Sequence, residues 1–444
     1  MLSFSMKRIQ RLACLSVLSA LLAACATPEI PPEGGAPAPG LPGSPAQPAA
    51  EAPLAVPPLS ALPDSAPRTL AGRYARAAWT ELPGWSDDDL SAFWPLFLRN
   101  CKGLMRPTGG SLTTPARATP RAWQPVCAAA ADPARAPAAG DGAAVRRFLQ
   151  TYLQPWRLDN PDNGQPATNI VTGYYEPLVR GSRRRGGAYQ WPLYAVPSDL
   201  LTVDLGSVYP ELAGKRVRGK LEGQRVVPYD TRAAIESSDR KPPVLVWVDD
   251  PVDNFFLQVQ GSGRVLLADG PGTGTTIRVA YADHNGQPYV SIGRWLADQG
   301  ELPADQASMQ NIRAWARRNP ARVQEMLSAN PAVVFFREEA IADPSLGPKG
   351  AYGVPLAAGR AIAVDTRFVP LGAPVFLSTT QPASAVPLQR LVLAQDTGTA
   401  IRGAARADYY WGYGEAAGQQ AGRMKQRGQM WLLWPKQAGE PSAR

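Results

Sequence analysis

Residues 361–378 read AIAVDTRFVPLGAPVFLS, and residues 388–403 read LQRLVLAQDTGTAIRG. Each runs an apolar strand into an aspartate, Asp365 in the first and Asp396 in the second, and the first leaves through Pro370-Leu371-Gly372. A third stretch, ARADYYWGYG at residues 405–414, sets Asp408 ahead of aromatic residues and two glycines. Many short strands broken by Gly-containing turns argue for a small closed barrel. The three aspartates are then strand-end residues gathered at one mouth. An aspartate at a turn also caps local amides, which alone accounts for any one of them. For three in one segment, the functional and the structural reading both stand.

The chain has a single histidine, His284, among 444 residues. A Ser-His-Asp triad would have to use it, and a His-rich zinc site cannot be built. His284 precedes the turn signal Asn285-Gly286, which reads as a hairpin, and it is taken as structural. Carboxylates are therefore the expected proton handlers if the chain is an enzyme. Nothing points to a metal or an organic cofactor.

Outward toward the N-terminus, Lys7, Arg8 and Arg11 precede an apolar run from Leu12 to Ala24. This is the pattern of a signal peptide, and the run is too short to span a bilayer, which needs roughly 20 residues. Leu22-Ala23-Ala24-Cys25 resembles a bacterial lipobox, whose cysteine is lipidated and begins the mature chain. Ala26 follows, with no Asp at the position associated with inner-membrane retention. Residues 1–24 are thus expected to be a lipoprotein signal peptide and Cys25 the lipidation site; an ordinary cleaved signal is the alternative. The location expected is the outer membrane of a Gram-negative bacterium, facing the periplasm. Thirteen prolines between Ala26 and Pro67, among Ala, Gly and Ser, make residues 25–68 a tether with little to build a core.

Of the four cysteines, Cys14 lies in the signal, leaving Cys101 and Cys127 beyond the lipidation site. In an oxidising compartment this pair favours a disulfide, with two buried free thiols as the alternative. The formal charge of +9 includes three positives in the signal. The remaining excess suits an anionic polymer or a membrane surface. Nucleic acid is disfavoured by the export signal and by the lack of a basic-aromatic recognition motif.

Residues 69–444 are ample for two domains. Ser86-Asp87-Asp88-Asp89 followed by Leu90, Phe93, Trp94, Phe97 and Leu98 reads as a helix, kinked or split at Pro95. Residues 143–153 form a second amphipathic helix. From about Thr172 to Gly293 the pattern turns β, with Val244–Val248, Phe255–Leu257 and Val265–Leu267 as short apolar strands. Helices return between Ile292 and about Ser328. A second β region opens at Val333–Phe336 and runs to Trp434, interrupted by a helix around residues 414–427.

From Gly173 to Lys436 the chain resembles the membrane-bound lytic murein transglycosylase A family, and its last part the "3D" domain named for three aspartates. The matching runs are Gly173-Tyr174-Tyr175-Glu176-Pro177, residues 255–263 (FFLQVQGSG), residues 289–294 (YVSIGR), Asn330-Pro331 through Phe335-Phe336, and the Asp396 and Asp408 motifs. Thr399 departs from the pattern where a second glycine is frequent, and Ala361 where a serine is. The resemblance implies a mainly β fold with α segments: a double-psi β-barrel carrying an inserted second β-barrel domain, with a groove between them. Residues 69–173 would form the N-terminal helical part of domain 1, residues 174–330 the insert, and residues 331–444 the double-psi barrel. Tyr174, Tyr175, Gln260, Ser262 and Gly263 would bind substrate in the groove, the tyrosines stacking on sugars unless they pack the core. Glu176 reads as a binding or structural residue rather than a second catalyst.

The implied activity is non-hydrolytic cleavage of the β-1,4 bond between N-acetylmuramic acid and N-acetylglucosamine in peptidoglycan, giving a 1,6-anhydro product. By the resemblance Asp408 is the catalytic acid, with Asp396 and Asp365 orienting and tuning it. One carboxyl suffices, because it protonates the leaving oxygen and then takes the proton of the muramoyl C6 hydroxyl; a glycosidase needs a second for water or a covalent intermediate. The implied partners are peptidoglycan glycan strands, the outer membrane through the lipid anchor, and complexes of cell-wall synthesis or hydrolysis. Two rival readings are a peptidoglycan hydrolase on the same barrel and a non-catalytic wall-binding lipoprotein.

Overall fold

The computed structural model describes residues 52–62, 69–106, 116–209, 212, 217–398 and 400–443. The signal segment, Cys25, residues 26–51 and 63–68 of the expected tether, and Thr399 lie outside the described residues.

The chain opens with strand β1 (Arg73–Arg76) and helices α1 (Phe93–Met105), α2 (Pro120–Ala131) and α3 (Gly142–Tyr152). The helix expected from Ser86 begins only at Phe93, because the acidic run is used elsewhere. Buried Asp88 accepts the amide of Leu391 at 2.7 Å and pairs with Arg360 at 2.7 Å. Pro95 consequently falls in the first turn of α1, where a missing N–H costs nothing, and it breaks no helix. Cys101 on α1 and Cys127 on α2 are bonded, with S–S 2.12 Å. Residues 52–62, assigned by composition to the tether, lie against these helices. The Arg121 guanidinium donates to the carbonyls of Leu59 and Leu62 at 3.1 and 3.2 Å, the Gln124 amide to that of Pro57 at 3.1 Å, and Leu62 is buried.

Strands β2 (Leu153–Asp159) and β3 (Asn169–Glu176) follow, and the chain then leaves for a second sheet. That excursion holds β4 (Leu178–Ser182), β5 (Trp191–Tyr194), β6 (Leu201–Val203), β7 (Val217–Glu222), β8 (Arg225–Pro228), α4 (Arg232–Ser237), β9 (Val244–Val248) and α5 (Pro251–Gln260). It continues through β10 (Ser262–Leu267), β11 (Thr276–His284), α6 (Ile292–Asp298), α7 (Met309–Arg318), α8 (Val323–Ser328) and β12 (Val334–Glu339). The return supplies β13 (Leu346–Lys349), β14 (Pro355–Ala357), β15 (Ala361–Val364), β16 (Pro374–Thr380), β17 (Pro387–Asp396), β18 (Ala407–Tyr413), α9 (Gly414–Arg423) and β19 (Lys425–Pro435).

Strands β19, β16, β17, β15, β18 and β3 hydrogen-bond in that order, and β3 pairs back to β19. The six strands therefore close into a barrel, and closure removes the sheet edges. The pairs β15–β17 and β18–β3 are parallel. Ile362, Val364, Phe376, Leu391, Leu432 and Trp434 are buried in the core beneath it, which continues into α1, α2 and α3. The second sheet runs β12-β11-β10-β4-β9-β5, and its two edge strands meet at a bridge between Ala195 and Phe336. The fold is thus mainly β: a closed barrel carrying an inserted second β unit.

Three further readings of the sequence are corrected. Phe255–Leu257 belongs to helix α5, not a strand: Asp250 accepts the amides of Val252 and Asp253, Pro251 stands in the first turn, and Gly261 closes the helix at φ 77°. Asn285-Gly286 is a turn but no hairpin, since β11 pairs onward with β12. There the Asn285 amide donates to the carbonyls of Asp230 and Pro331 at 2.8 and 2.9 Å, and its oxygen accepts Val333 N at 2.9 Å. Lastly β12, grouped by sequence with the C-terminal barrel, completes the inserted sheet. The chain crosses back after Glu339 rather than at Asn330.

Both crossings are held by one buried ion cluster. Glu176, the last residue of β3 and fully buried, accepts from Arg264 on β10 at 2.8 Å and Arg278 on β11 at 2.6 Å. Arg264 also donates to the carbonyls of Pro344 and Leu346 at 3.0 Å, and Arg278 to that of Leu346 at 2.8 Å. Each charged group in the cluster thereby meets a partner, as burial requires.

Candidate active site

Asp396 on β17 and Asp408 on β18 both stand opposite Ala363 of β15, and Asp408 stands opposite Thr172 of β3. Directly opposed residues point to one face of a sheet. Asp396, Ala363, Asp408 and Thr172 therefore form one row around the barrel. Two strand spacings put the aspartate Cα atoms about 10 Å apart.

Asp408 is half-buried, and its Oδ1 accepts the Thr172 hydroxyl at 2.7 Å. Burial pushes this carboxyl up to about 6; the Thr172 bond and the Arg406 guanidinium oppose the rise, and Asp396 adds to it. Arg406 donates to Thr172 Oγ1 at 2.9 Å and to Ile170 O at 3.1 Å. It leaves a turn in which Ala405 sits at φ 55°, a left-handed conformation that a side chain holds only when its surroundings impose it.

Asp396 is raised too, again by burial, against three donors that favour its charge. Its Oδ1 accepts the amides of Ala351 and Thr397, both at 2.9 Å, and its Oδ2 the Tyr174 hydroxyl at 3.2 Å. Asp365 differs. Burial would raise it, but the Arg367 guanidinium and the amides of Gly403 and Arg367 hold it below the usual carboxylate range. Its Oδ2 accepts Arg367 Nη2 at 2.6 Å and Gly403 N at 2.7 Å. It therefore staples the loop leading to Asp408 onto the end of β15.

Of the residues expected to bind substrate, Tyr174 packs on Tyr410 with ring centroids 5.1 Å apart and its hydroxyl is turned to Asp396. Tyr175 is half-buried; its amide donates to Gln260 Oε1 at 3.2 Å, its hydroxyl lies 3.5 Å from Met309 Sδ, and its ring covers Gly418 of α9. Tyr175 thereby touches both the barrel side and the inserted unit. Ser262 and Gly263 start β10 and are buried. A Cβ on Gly263 would come within 2.6 Å of Leu257 and 3.3 Å of the Pro177 carbonyl, so the glycine is required by packing. His284 accepts the Gly286 amide at 3.0 Å and belongs to that turn. Among the described residues no three His, Cys, Asp or Glu side chains gather as a metal site.

Three groups at the site were missed from the sequence: Thr172, Arg406 and the Ala351 amide. Arg406 was accessible in principle, since residues two apart in a strand share a face and it precedes Asp408 by two. Thr172 is adjacent to the Gly173-Tyr174-Tyr175 motif, yet only the barrel closure reveals its register. Nothing local marks Ala351.

Comparison with known proteins bears on this site. Residues 170–337 match the model of the MltA specific insert domain and residues 360–434 that of the 3D domain. The chain is 31% identical over 306 residues to membrane-bound lytic murein transglycosylase A of Escherichia coli K12, covering 66% of this chain and 72% of that protein. The crystal structure of MltA from Neisseria gonorrhoeae superposes with a TM-score of 0.69 at 34% identity, covering 89% of this chain and all of the other. The structure of E. coli MltA with bound chitohexaose superposes with a TM-score of 0.54 at 27% identity, covering 86% and 95%.

Proposed function

The chain belongs to the membrane-bound lytic murein transglycosylase A family and is a peptidoglycan-cleaving lyase, and on that basis we propose that Asp408 alone serves as its general acid and then its base. The observation that carries this reading is a half-buried carboxyl pushed up to about 6 in the row of functional residues, so that about one molecule in ten holds the proton at pH 7, against fewer than about one in a thousand for an ordinary aspartate. Its proton passes to the glycosidic oxygen as the C1–O bond breaks toward an oxocarbenium-like state. The C6 hydroxyl of the muramoyl residue closes on C1, and its proton returns to Asp408. Acid and base are one group, and no water enters.

Asp396 supports Asp408 in this reading: it adds negative charge that favours the protonated acid. A hydrolase would need Asp396 to activate water, and the strand spacing permits that geometry. Both Asp396 oxygens, however, already accept protein donors, which leaves it poorly suited as a base. Tyr175, Gln260 and Ser262 offer a flat face and hydrogen bonds to a glycan, in line with the chitohexaose carried by the E. coli neighbour. The membrane association in the relatives' names fits lipidation at Cys25 and placement at the outer membrane facing the periplasm.

Digestion of purified sacculi with residues 49–444, which keep the segment packed on the helices, followed by mass spectrometry, tests the chemistry. Muropeptides one water lighter than hydrolysed counterparts are expected. Reducing-end products would replace this reading with hydrolysis, and intact sacculi with a binding role.

A further inference from the structure

We propose that Arg406 is a positioning residue which, through Thr172, commits Asp408 Oδ1 to the protein and leaves Oδ2 as the oxygen that carries the reacting proton. The inference rests on the reading of Asp408 as the acid.

A threonine hydroxyl has one hydrogen, and its oxygen can accept; a guanidinium only donates. Arg406 Nη2 donates to Thr172 Oγ1 at 2.9 Å, so the hydroxyl hydrogen is directed to Asp408 Oδ1, 2.7 Å away. The guanidinium cannot swing onto the carboxylate itself, because Nη1 is tied to the carbonyls of Ile170 and Ala407. The turn at Ala405 places Arg406 on the approach to β18. Oδ1 is thus occupied by a donor that has no other direction in which to point, while Oδ2 accepts no hydrogen bond from the described residues.

The interposed hydroxyl also decides how strongly the cation acts. A direct Arg–Asp pair would hold the carboxyl ionised and useless as an acid. One bond removed, the positive charge favours the carboxylate left after proton donation without abolishing its protonated form. The groups facing Asp408 are Arg406 from its own strand's approach, Thr172 and the Tyr174 hydroxyl from β3, and Asp396 from β17; burial and both carboxylates hold Tyr174 well above the usual phenol range, so it stays neutral across the profile. Removing either member of the relay should therefore raise the pH at which Asp408 loses its proton.

The test is kcat/KM against pH on a soluble glycan oligomer of peptidoglycan for the wild type, Thr172→Val, Thr172→Ser, Arg406→Gln and the double variant Thr172→Val/Arg406→Gln. The alkaline midpoint should rise by about one pH unit in Thr172→Val and by a smaller amount in Arg406→Gln. Thr172→Ser should retain the wild-type profile. In the Thr172→Val background, Arg406→Gln should add less than it does alone. A fall in rate with unmoved midpoints in both single variants would reduce the relay to a structural clamp and overturn the proposal. So would a midpoint that moves in Arg406→Gln but not in Thr172→Val, since the charge would then act directly. Should Arg406→Gln fail to fold, the near-isosteric Thr172→Val and Thr172→Ser pair still decides. Full activity in Asp408→Asn would instead remove the acid assignment itself, an outcome distinct from all of these.

Discussion

The carboxyl of Asp408 is held where its chemistry is favourable and its charge is not. Replacing it with asparagine should lower lysis by about 10²–10⁴-fold, the usual contribution of a positioned acid, as read by release of soluble muropeptides. The same change should stabilise the fold at pH 7.5. The folded group is pushed up to about 6 from an ordinary 3.8, so the folded state binds its proton more tightly. Its contribution to stability is complete below about pH 4 and is lost as pH rises through 6. An asparagine side chain cannot ionise, so Asp408→Asn should gain on the order of 2 kcal/mol over the wild type at pH 7.5 and nothing at pH 3.5. Equal melting temperatures at the higher pH would mean that the carboxyl is not desolvated. Asp396 acts with the opposite sign to Arg406: Asp396→Asn should move the alkaline limb of the activity profile toward acid, because it removes a negative neighbour.

Between elements, the pairing that matters most is α9 on β3. A Cβ on Gly173 would lie 2.7 Å from the Trp411 indole nitrogen and 2.8 Å from the Ala421 backbone, and one on Gly418 would lie 2.9 Å from the Tyr175 ring. The two glycines let helix and strand meet at backbone distance. Gly173→Ala should therefore cost about 1–3 kcal/mol in urea unfolding and displace Tyr174 and Tyr175; a change below about 0.5 kcal/mol would show that the helix yields freely. This is also the scale at which the sequence was least reliable. The run Phe255–Leu257 is apolar enough for a strand, and only its Asp-Pro start and Gly stop distinguish a helix. Likewise the acidic run at Ser86–Asp89 imitates a helix start, while Asp88 is in fact bonded to a strand three hundred residues later. Composition cannot tell a cap from a distant partner. The aspartate motifs were legible because strand, turn and carboxyl are contiguous, whereas Thr172 enters the site only through long-range closure.

In the molecule as a whole, the buried Glu176 cluster joins the barrel to the inserted sheet. Glu176→Gln leaves two buried guanidinium groups short of compensation, and should cost about 3–5 kcal/mol. Hydrogen exchange should quicken at β3, β10 and β13 together; exchange confined to β3 would show that the cluster does not couple the two units. Reducing the Cys101–Cys127 bond, which closes a 26-residue loop, should cost about 3 kcal/mol, measured by thermal melts with and without reductant. The mainly β, two-unit architecture was readable from strand spacing and from the family resemblance. The exact point of return was not, because β12 is apolar enough to suit either sheet. The barrel's sixth strand comes from the far side of the insertion: Thr172 and Asp408 are 236 positions apart, and β19 must follow both before the ring closes. A chain still emerging from the ribosome, before β19 is made, cannot yet close the ring around Asp408. The site can thus form only once the last strand of the ring has been made.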